Sequence, residues 1–252
     1  LVRGQNVHGL TFETLTATTA VRPQGSADYE RYIGTWTVTT TSSEVTGQPQ
    51  TYTIRIEPYR NDKSYKVYDW GVTILGSKEE DFPFILSYNE ADGSVGINSY
   101  EDLGMYGFTY YIYLRYRFLN EQSQPSIWVS EDTLVSGAYD AASNEITITC
   151  GTFNDNSGIT QKITGLDYVL YTGGKYYEAQ NLIRPGYLIG EGDNAKVDYG
   201  VGPYKLTKAP AAAAVSAKRP AKKFESLRPA SETKQAAAVP LGVGRLSMMS
   251  VH

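Results

Sequence analysis

The sequence predicts an all-β protein built as an antiparallel β-barrel, with a β-sandwich as the alternative. Apolar and polar residues alternate with a period of two along many short segments, as in antiparallel strands that cover a core with one face. The composition agrees, because 21 tyrosines and many threonines and valines suit pleated, half-buried surfaces. No convincing amphipathic-helix pattern lies between these segments, which disfavours a βαβ fold.

About eleven strands can be placed along the chain. Trp36 and Val38 alternate with threonines, and after a Gly-Gln-Pro-Gln turn the same alternation returns at Tyr52 and Ile54, which predicts a hairpin. Further strands are predicted at Tyr65–Val72, Phe82–Tyr88, Val95–Tyr100, Tyr106–Phe118, Ile127–Val129, Leu134–Tyr139, Glu145–Thr152, Leu166–Tyr171 and Tyr204–Thr207.

Two further hairpins are predicted by an internal similarity. The segments Tyr88–Ile97 and Tyr139–Ile148 align without gaps, each with a strand-ending tyrosine, a polar turn and alternating apolar residues. Glycine and Asx residues in the turns tolerate the positive φ that tight hairpins need. Turn chemistry alone can produce this likeness, and duplication is the alternative explanation.

The chain divides into a lead-in over residues 1–29, a barrel domain over 30–208 and a tail over 209–252. The tail is rich in Ala, Pro and Lys, which is linker composition, and it has seven basic and two acidic residues, a net charge of +5. The remaining 16 basic and 25 acidic residues give the body −9, which disfavours nucleic acid as the main partner. Residues 173–202 hold seven glycines and little periodicity, so we expect a binding loop or irregular strands there.

No catalytic, metal or cofactor site is predicted, and we do not expect an enzyme. The two histidines, His8 and His252, lie in the lead-in and at the last position, where no rigid scaffold would orient a catalytic base or a zinc ligand. The one cysteine, Cys150, shares a strand face with Ile146 and Ile148 and is expected to be buried and inert.

The best candidate ligand-binding residues lie in the segment Met105–Leu119. Its even positions are apolar or aromatic and are expected to face the core, whereas its odd positions carry two tyrosines and two arginines. A tyrosine ring with a hydroxyl, next to a guanidinium that binds carboxylates bidentately, suits a sugar or an acidic glycan. The candidates are Tyr111, Tyr113, Arg115 and Arg117. The alternative is that the two tyrosines only pair across the sheet with neighbouring strands.

Two tryptophans extend this hypothesis. Trp70 stands beside a glycine in "YDWG", and Trp128 lies on the strand face opposite Ile127 and Val129, which we expect in the core. Trp70 and Trp128 are therefore the other candidates for an exposed aromatic platform.

Gly34-Thr35-Trp36 resembles the G-x-W signature of lipocalins and related calycins. With its surroundings ("GTWTV", "YTIRIEPY", "SYKVYDWG", "FPFILSYNEADGSVGI" and "AYDAASNEITI") the chain is similar to lipocalin-like modules of Bacteroidetes surface lipoproteins over roughly residues 29–208. The resemblance implies a barrel closed at one end by Trp36. It also implies an extracytoplasmic location at the outer membrane, through a lipid anchor on an N-terminal cysteine that this chain does not contain.

Together these observations predict a non-catalytic cell-surface binding module, with carbohydrate binding or adhesion as its function. One alternative is a carrier of a small hydrophobic ligand inside the barrel. The other is a structural or assembly module whose edge strands or C-terminal tail bind a protein partner.

Overall fold

A computed structural model describes residues 2–5, 11–14, 24–73, 82–106, 109–178, 183–184, 186–190, 196–209 and 237–240. The elements in these ranges are β1 (Val2–Gln5), β2 (Thr11–Thr14), α1 (Ala27–Glu30), β3 (Gly34–Ser43), β4 (Thr51–Arg60), β5 (Ser64–Tyr68), β6 (Val72–Thr73), β7 (Phe84–Tyr88), β8 (Val95–Ile97), β9 (Glu101–Tyr106), β10 (Tyr110–Leu119), β11 (Pro125–Val129), β12 (Val135–Asp140), β13 (Glu145–Cys150), β14 (Thr152–Asn154), β15 (Thr160–Thr172), β16 (Lys175–Glu178), β17 (Ile183–Arg184), β18 (Gly186–Ile189), β19 (Lys196–Lys208) and β20 (Ala237–Pro240). Within the described part of the chain, no helix is long and apolar enough to cross a membrane.

Eight strands form a closed antiparallel barrel. Strands β3, β4, β5, β7, β8, β12, β13 and β19 pair in this order, and β19 also pairs with β3, so that no edge is left open. The order around the barrel is the order along the chain, as in an up-and-down barrel. The all-β prediction is confirmed, and the closure through β19 decides for the barrel over the sandwich.

Both hairpins predicted from the internal similarity are present, as β7–β8 and β12–β13. Their turns place Gly93 at φ 70° and Asn144 at φ 57°, conformations that glycine and asparagine adopt at low cost.

A second sheet, which the sequence did not predict, is built from two insertions into the barrel. Strands β9–β11 come between β8 and β12, and strands β14–β18 come between β13 and β19. The insertions pair as β14-β15-β10-β11, with β9 on β10 and β16 on β15, and β20 from the tail pairs with β11. Because β8 and β13 end on the same side of the barrel, both insertions leave from that end, which we call the sheet end.

The opposite end, which we call the helix end, is crossed by α1 and the turn after it. Ser26 caps this short helix by accepting a hydrogen bond from Tyr29 N at 3.3 Å. Trp36 lies fully buried beneath it, and its Nε1 donates to Tyr32 O at 2.7 Å. The expectation that Trp36 lies at a closed barrel end agrees with this position.

The barrel wall follows the period-two pattern. Inward residues such as Val38, Ile54 and Leu206 are at most 1% exposed, and they join the inner face of the second sheet in one continuous core. Threonine is frequent at the outward positions of β3, β4 and β13, and register places Thr37 opposite both Thr53 and Thr207.

Candidate binding surface

The predicted site residues of β10 lie on the face of the second sheet that points away from the barrel. The even positions Ile112, Leu114 and Tyr116 are at most 1% exposed and belong to the main core, as predicted. On the odd face, Tyr111 is partly exposed, whereas Tyr113 is 1% exposed. We call this second face the outer face; it has its own apolar cluster, centred on Tyr113 and Val169.

Tyrosines dominate one end of the outer face. Tyr111 lies directly opposite Tyr171 of β15, and Tyr171 lies opposite Tyr176 of β16. The rings of Tyr111 and Tyr113 stack at 6.4 Å, and those of Tyr171 and Tyr176 are 4.9 Å apart. Tyr113 also meets both Tyr171 and Tyr176 edge to face, at 5.8 and 6.1 Å. The result is a layer of four interlocked rings, which we call the tyrosine face.

Arg115 lies under the tyrosine face rather than on it. It is 0% exposed, and its guanidinium carbon is 4.1 Å from the Tyr113 ring centre and 5.3 Å from that of Tyr176. Its Nη1 donates to Ser99 O at 2.8 Å and its Nη2 to the Tyr176 hydroxyl at 3.2 Å. The guanidinium therefore supports the two rings, and the exposed position predicted for it is wrong because β16 covers it.

Arg117 lies in a buried ion cluster between the second sheet and the barrel. Its Nη1 is 2.8 Å from Asp167 of β15, and its Nη2 and Nε are each 2.9 Å from the carboxylate of Glu44, in the turn after β3. The Tyr199 ring lies 3.6 Å from the guanidinium carbon. Burial works to lower the pKa of this guanidinium, but Asp167, Tyr199 and Glu44 outweigh it and hold the pKa above its ordinary value.

Neither tryptophan of the predicted platform is exposed. Trp70 is 1% exposed inside the sheet end of the barrel, 5.0 Å from the Tyr204 ring. Trp128 is 5% exposed and stacks on Phe153 at 4.2 Å, on the inner face of the second sheet. The exposure predicted for the two tryptophans is wrong because the second sheet covers the barrel end and because β11 is buried on both sides, with Trp128 in the main core and Ile127 in the outer cluster.

The barrel interior is occupied by aromatic side chains. Trp36, Tyr65, Phe84 and Tyr204 are each at most 1% exposed. Tyr65 stacks on Tyr29 at 4.3 Å near the helix end, and Phe84 meets Trp70 edge to face at 5.6 Å near the sheet end. A hydrophobic ligand inside the barrel would have to displace these packed rings, which disfavours the carrier hypothesis.

Sequence reasoning missed Tyr171 and Tyr176 as members of the candidate site. Tyr171 ends a strand that was predicted, but Tyr176 falls in the glycine-rich stretch to which no strand was assigned. The missed signal was "YTGGKYY", in which Gly173 and Gly174 at φ 56° and 78° form the turn of the β15–β16 hairpin. This hairpin is what brings Tyr176 beside Tyr171.

Among the described residues, no group of three or more His, Cys, Asp or Glu residues could hold a metal ion. Burial raises the pKa of the Cys150 thiol to about 12, so the nucleophilic thiolate is scarce at neutral pH. Both histidines lie outside the described residues.

Comparison with protein-family models, curated proteins and solved structures found no match. The resemblance to lipocalin-like surface modules therefore stays a prediction. The closed eight-stranded barrel is consistent with it, but many unrelated proteins share such a barrel.

Proposed function

We propose that the protein is a non-catalytic binding module that binds carbohydrate on the tyrosine face. The observation that supports this most is the pairing of Tyr111 with Tyr171, two partly exposed tyrosines directly opposite each other on neighbouring strands. The Cβ atoms of directly opposite residues lie about 5 Å apart. The Tyr113 ring, 6.4 Å from the Tyr111 ring and 5.8 Å from the Tyr171 ring, joins the two in one aromatic surface.

The chemistry of this surface suits a sugar. The C–H groups of a pyranose ring form an apolar patch that packs on an aromatic ring, while the tyrosine hydroxyl hydrogen-bonds to the sugar hydroxyls. Tyr113 and Tyr176 hold the exposed rings from below, and Arg115 fixes both of these in turn. A surface held rigid in this way loses little conformational entropy on binding.

The test is a glycan array probed with the full chain, followed by calorimetry on any glycan that binds. We expect Tyr111→Ala/Tyr171→Ala to lose binding, whereas Thr51→Ala/Thr53→Ala, a matched double substitution on the exposed barrel wall, retains it. Binding that survives loss of both tyrosines would contradict the site, and a silent array would contradict carbohydrate binding.

The proposed location, outside the cytoplasm at the outer membrane as a lipoprotein, rests on the resemblance alone. Fractionation of the source organism, with protease added to intact cells, tests it. Recovery of the protein in the cytosolic fraction would contradict it.

A second candidate function, protein assembly through the tail, is favoured by the position of β20. Val239 of this tail strand lies opposite Ile127 of β11, so the tail adds a strand to the edge of the second sheet. An edge that accepts this strand also accepts an extended segment of another chain. We expect the full chain to associate as its concentration rises, and a variant that lacks residues 210–252 to lose this association in sedimentation experiments. The same sedimentation for both proteins at every concentration would contradict this candidate.

A further inference from the structure

A second surface of aromatic and cationic residues lies on the barrel wall, far along the sequence from the tyrosine face. Tyr59, near the end of β4, is 48% exposed and is one of three exposed large hydrophobic residues in the described part of the chain. The Arg60 guanidinium carbon lies 5.4 Å from its ring centre, and Lys66 Nζ of β5 lies 4.8 Å from it. Both cations therefore contact the same tyrosine ring.

A β-bulge creates this arrangement. Pro58 pairs with Tyr65 and Arg60 pairs with Ser64, so Tyr59 is an extra residue with no partner in the register between β4 and β5. Strict alternation from the buried Ile56 would turn Arg60 inward, but the bulge turns both Tyr59 and Arg60 outward, where both are exposed. Proline is tolerated inside a strand at such a bulge, which fits Pro58 at this position.

Neither cation forms a close ion pair within the described part of the chain. Glu57 lies opposite Lys66 in register but pairs with Arg55, which also covers the Tyr68 ring at 4.2 Å. The charge of Lys66 also acts on the buried carboxyl of Glu101. Among the described residues, neither Arg60 nor Lys66 has a carboxylate oxygen within 4 Å.

We propose that Tyr59, Arg60 and Lys66 form a binding site for an anionic saccharide, one that carries a carboxylate or a sulfate ester. Neither cation has a carboxylate oxygen within 4 Å among the described residues, and an oxyanion supplies such a partner. A guanidinium binds a carboxylate or sulfate through two parallel hydrogen bonds, and the ammonium adds a third charged donor. The exposed part of the Tyr59 ring packs against the sugar C–H groups, which a free inorganic anion lacks.

The net negative charge of the body argues for a saccharide rather than a nucleic acid. A nucleic acid presents a dense row of phosphates, which needs a broad basic surface and is repelled by an acidic one. A single charged group on a sugar needs only the two cations found here.

The experiment is calorimetry of the full chain with sialyllactose, which carries a single carboxylate, with neutral lactose and a short single-stranded DNA as comparison ligands. We expect sialyllactose binding that weakens as the ionic strength rises, because exposed charges are screened. Arg60→Ala/Lys66→Ala removes two charge-assisted contacts and should weaken binding about tenfold or more. Lys162→Ala/Lys205→Ala removes the same charge from exposed positions elsewhere and should change affinity less than about twofold.

Variants of Tyr59 distinguish specific binding at this site from general electrostatic attraction. Tyr59→Leu keeps both cations but loses the ring that positions them, so it should weaken sialyllactose binding, and Tyr59→Phe should retain it. Equal losses in the two double variants, DNA binding as tight as sialyllactose binding, or an unaffected Tyr59→Leu would each overturn the proposal. The site does not involve the tyrosine face, so Tyr111→Ala/Tyr171→Ala should leave sialyllactose binding unchanged even where neutral glycans fail to bind.

Discussion

The two ends of the barrel are closed by different chemistry. At the helix end the closing groups are uncharged: Tyr29 donates its hydroxyl proton to Ser64 O at 2.8 Å, and Tyr32 donates to Gly93 O at 2.6 Å. Tyr65 returns a hydrogen bond to Tyr29 O at 2.9 Å. Each tyrosine buries a ring and places its hydroxyl on a backbone carbonyl, so that no buried polar group of this set is left unsatisfied.

At the sheet end, buried ion pairs join the second sheet to the barrel. Arg117 is 3% exposed and holds Asp167 of the second sheet and Glu44 of the barrel, whose side chains are 1% and 8% exposed. Each buried charge carries a large desolvation cost that only its partners offset. The helix end should therefore tolerate the loss of a single group, whereas the sheet end should depend on the complete set.

The largest expected effect is the loss of Arg117. Arg117→Met keeps much of the side-chain volume but leaves Glu44 and Asp167 buried without their cation, so unfolding free energy should fall by about 3–5 kcal/mol. Urea denaturation followed by tryptophan fluorescence measures it. The triple variant Arg117→Met/Glu44→Gln/Asp167→Asn should recover part of the loss, because it also removes the uncompensated charges. A loss below about 1 kcal/mol in the single variant would mean that the cluster is solvated.

The next effect is a pH dependence of stability that we attribute to Glu101, whose carboxyl links the second sheet to the barrel. Glu101 of β9 accepts hydrogen bonds from Ile85 N of β7 at 2.9 and 3.0 Å. Burial raises the pKa of this carboxyl from 4.5 to about 7, with Asp102 adding to the shift and Lys66 opposing it. The folded state therefore holds a proton between these pH values that the unfolded state releases.

Because of this extra proton, the free energy of unfolding should fall as pH rises from about 4.5 to about 7, by at most about 3 kcal/mol. Glu101→Gln cannot ionise and should flatten this part of the profile of unfolding free energy against pH. The stability of the variant relative to the wild type should therefore increase as pH rises. Urea midpoints measured across this range provide the check. Parallel profiles for the two proteins would show that Glu101 titrates normally.

The two ends also differ in how much of each could be predicted from the sequence. At the helix end, the first barrel strand and the buried Trp36 were predicted from local alternation, but the hydrogen bonds from Tyr29 and Tyr32 to carbonyls 35 and 61 residues away were not. The hairpins β7–β8 and β12–β13 were predictable for the same reason, since turn residues and alternation are local signals.

The sheet end could not be predicted, because its contacts join residues far apart along the chain. Arg117 lies 73 residues from Glu44 and 50 from Asp167. The alternation in β10 correctly separated its two faces, but alternation does not tell whether the second face meets water or another layer. That ambiguity placed Arg115 and Arg117 on an exposed surface, when β15, β16 and the barrel in fact cover them.

A smaller effect is expected from a single group at the helix end. Tyr32→Phe keeps the ring but removes the hydroxyl, which donates to Gly93 O and accepts from Tyr139 N at 2.9 Å. Leaving two backbone groups without this partner should cost about 1–3 kcal/mol. Thermal and urea unfolding of the variant measure it, with the fold checked by near-ultraviolet circular dichroism. A cost as large as that of Arg117→Met would remove the distinction between the two ends.

The smallest effect comes from Lys208, a cation that contacts Trp36 at the helix end. Lys208 Nζ lies 4.0 Å from the Trp36 ring centre and donates to Ile33 O at 2.7 Å, but unlike Arg117 the lysine residue is exposed. Partial burial lowers the pKa of the ammonium. Because the residue stays exposed in the folded state, Lys208→Met should lower unfolding free energy by only about 0.5–1 kcal/mol. Lys208→Arg keeps the charge over the ring and should recover most of that loss. If Lys208→Met instead cost as much as Arg117→Met, a charge would stabilise both ends equally, and burial would not be what makes the sheet end sensitive.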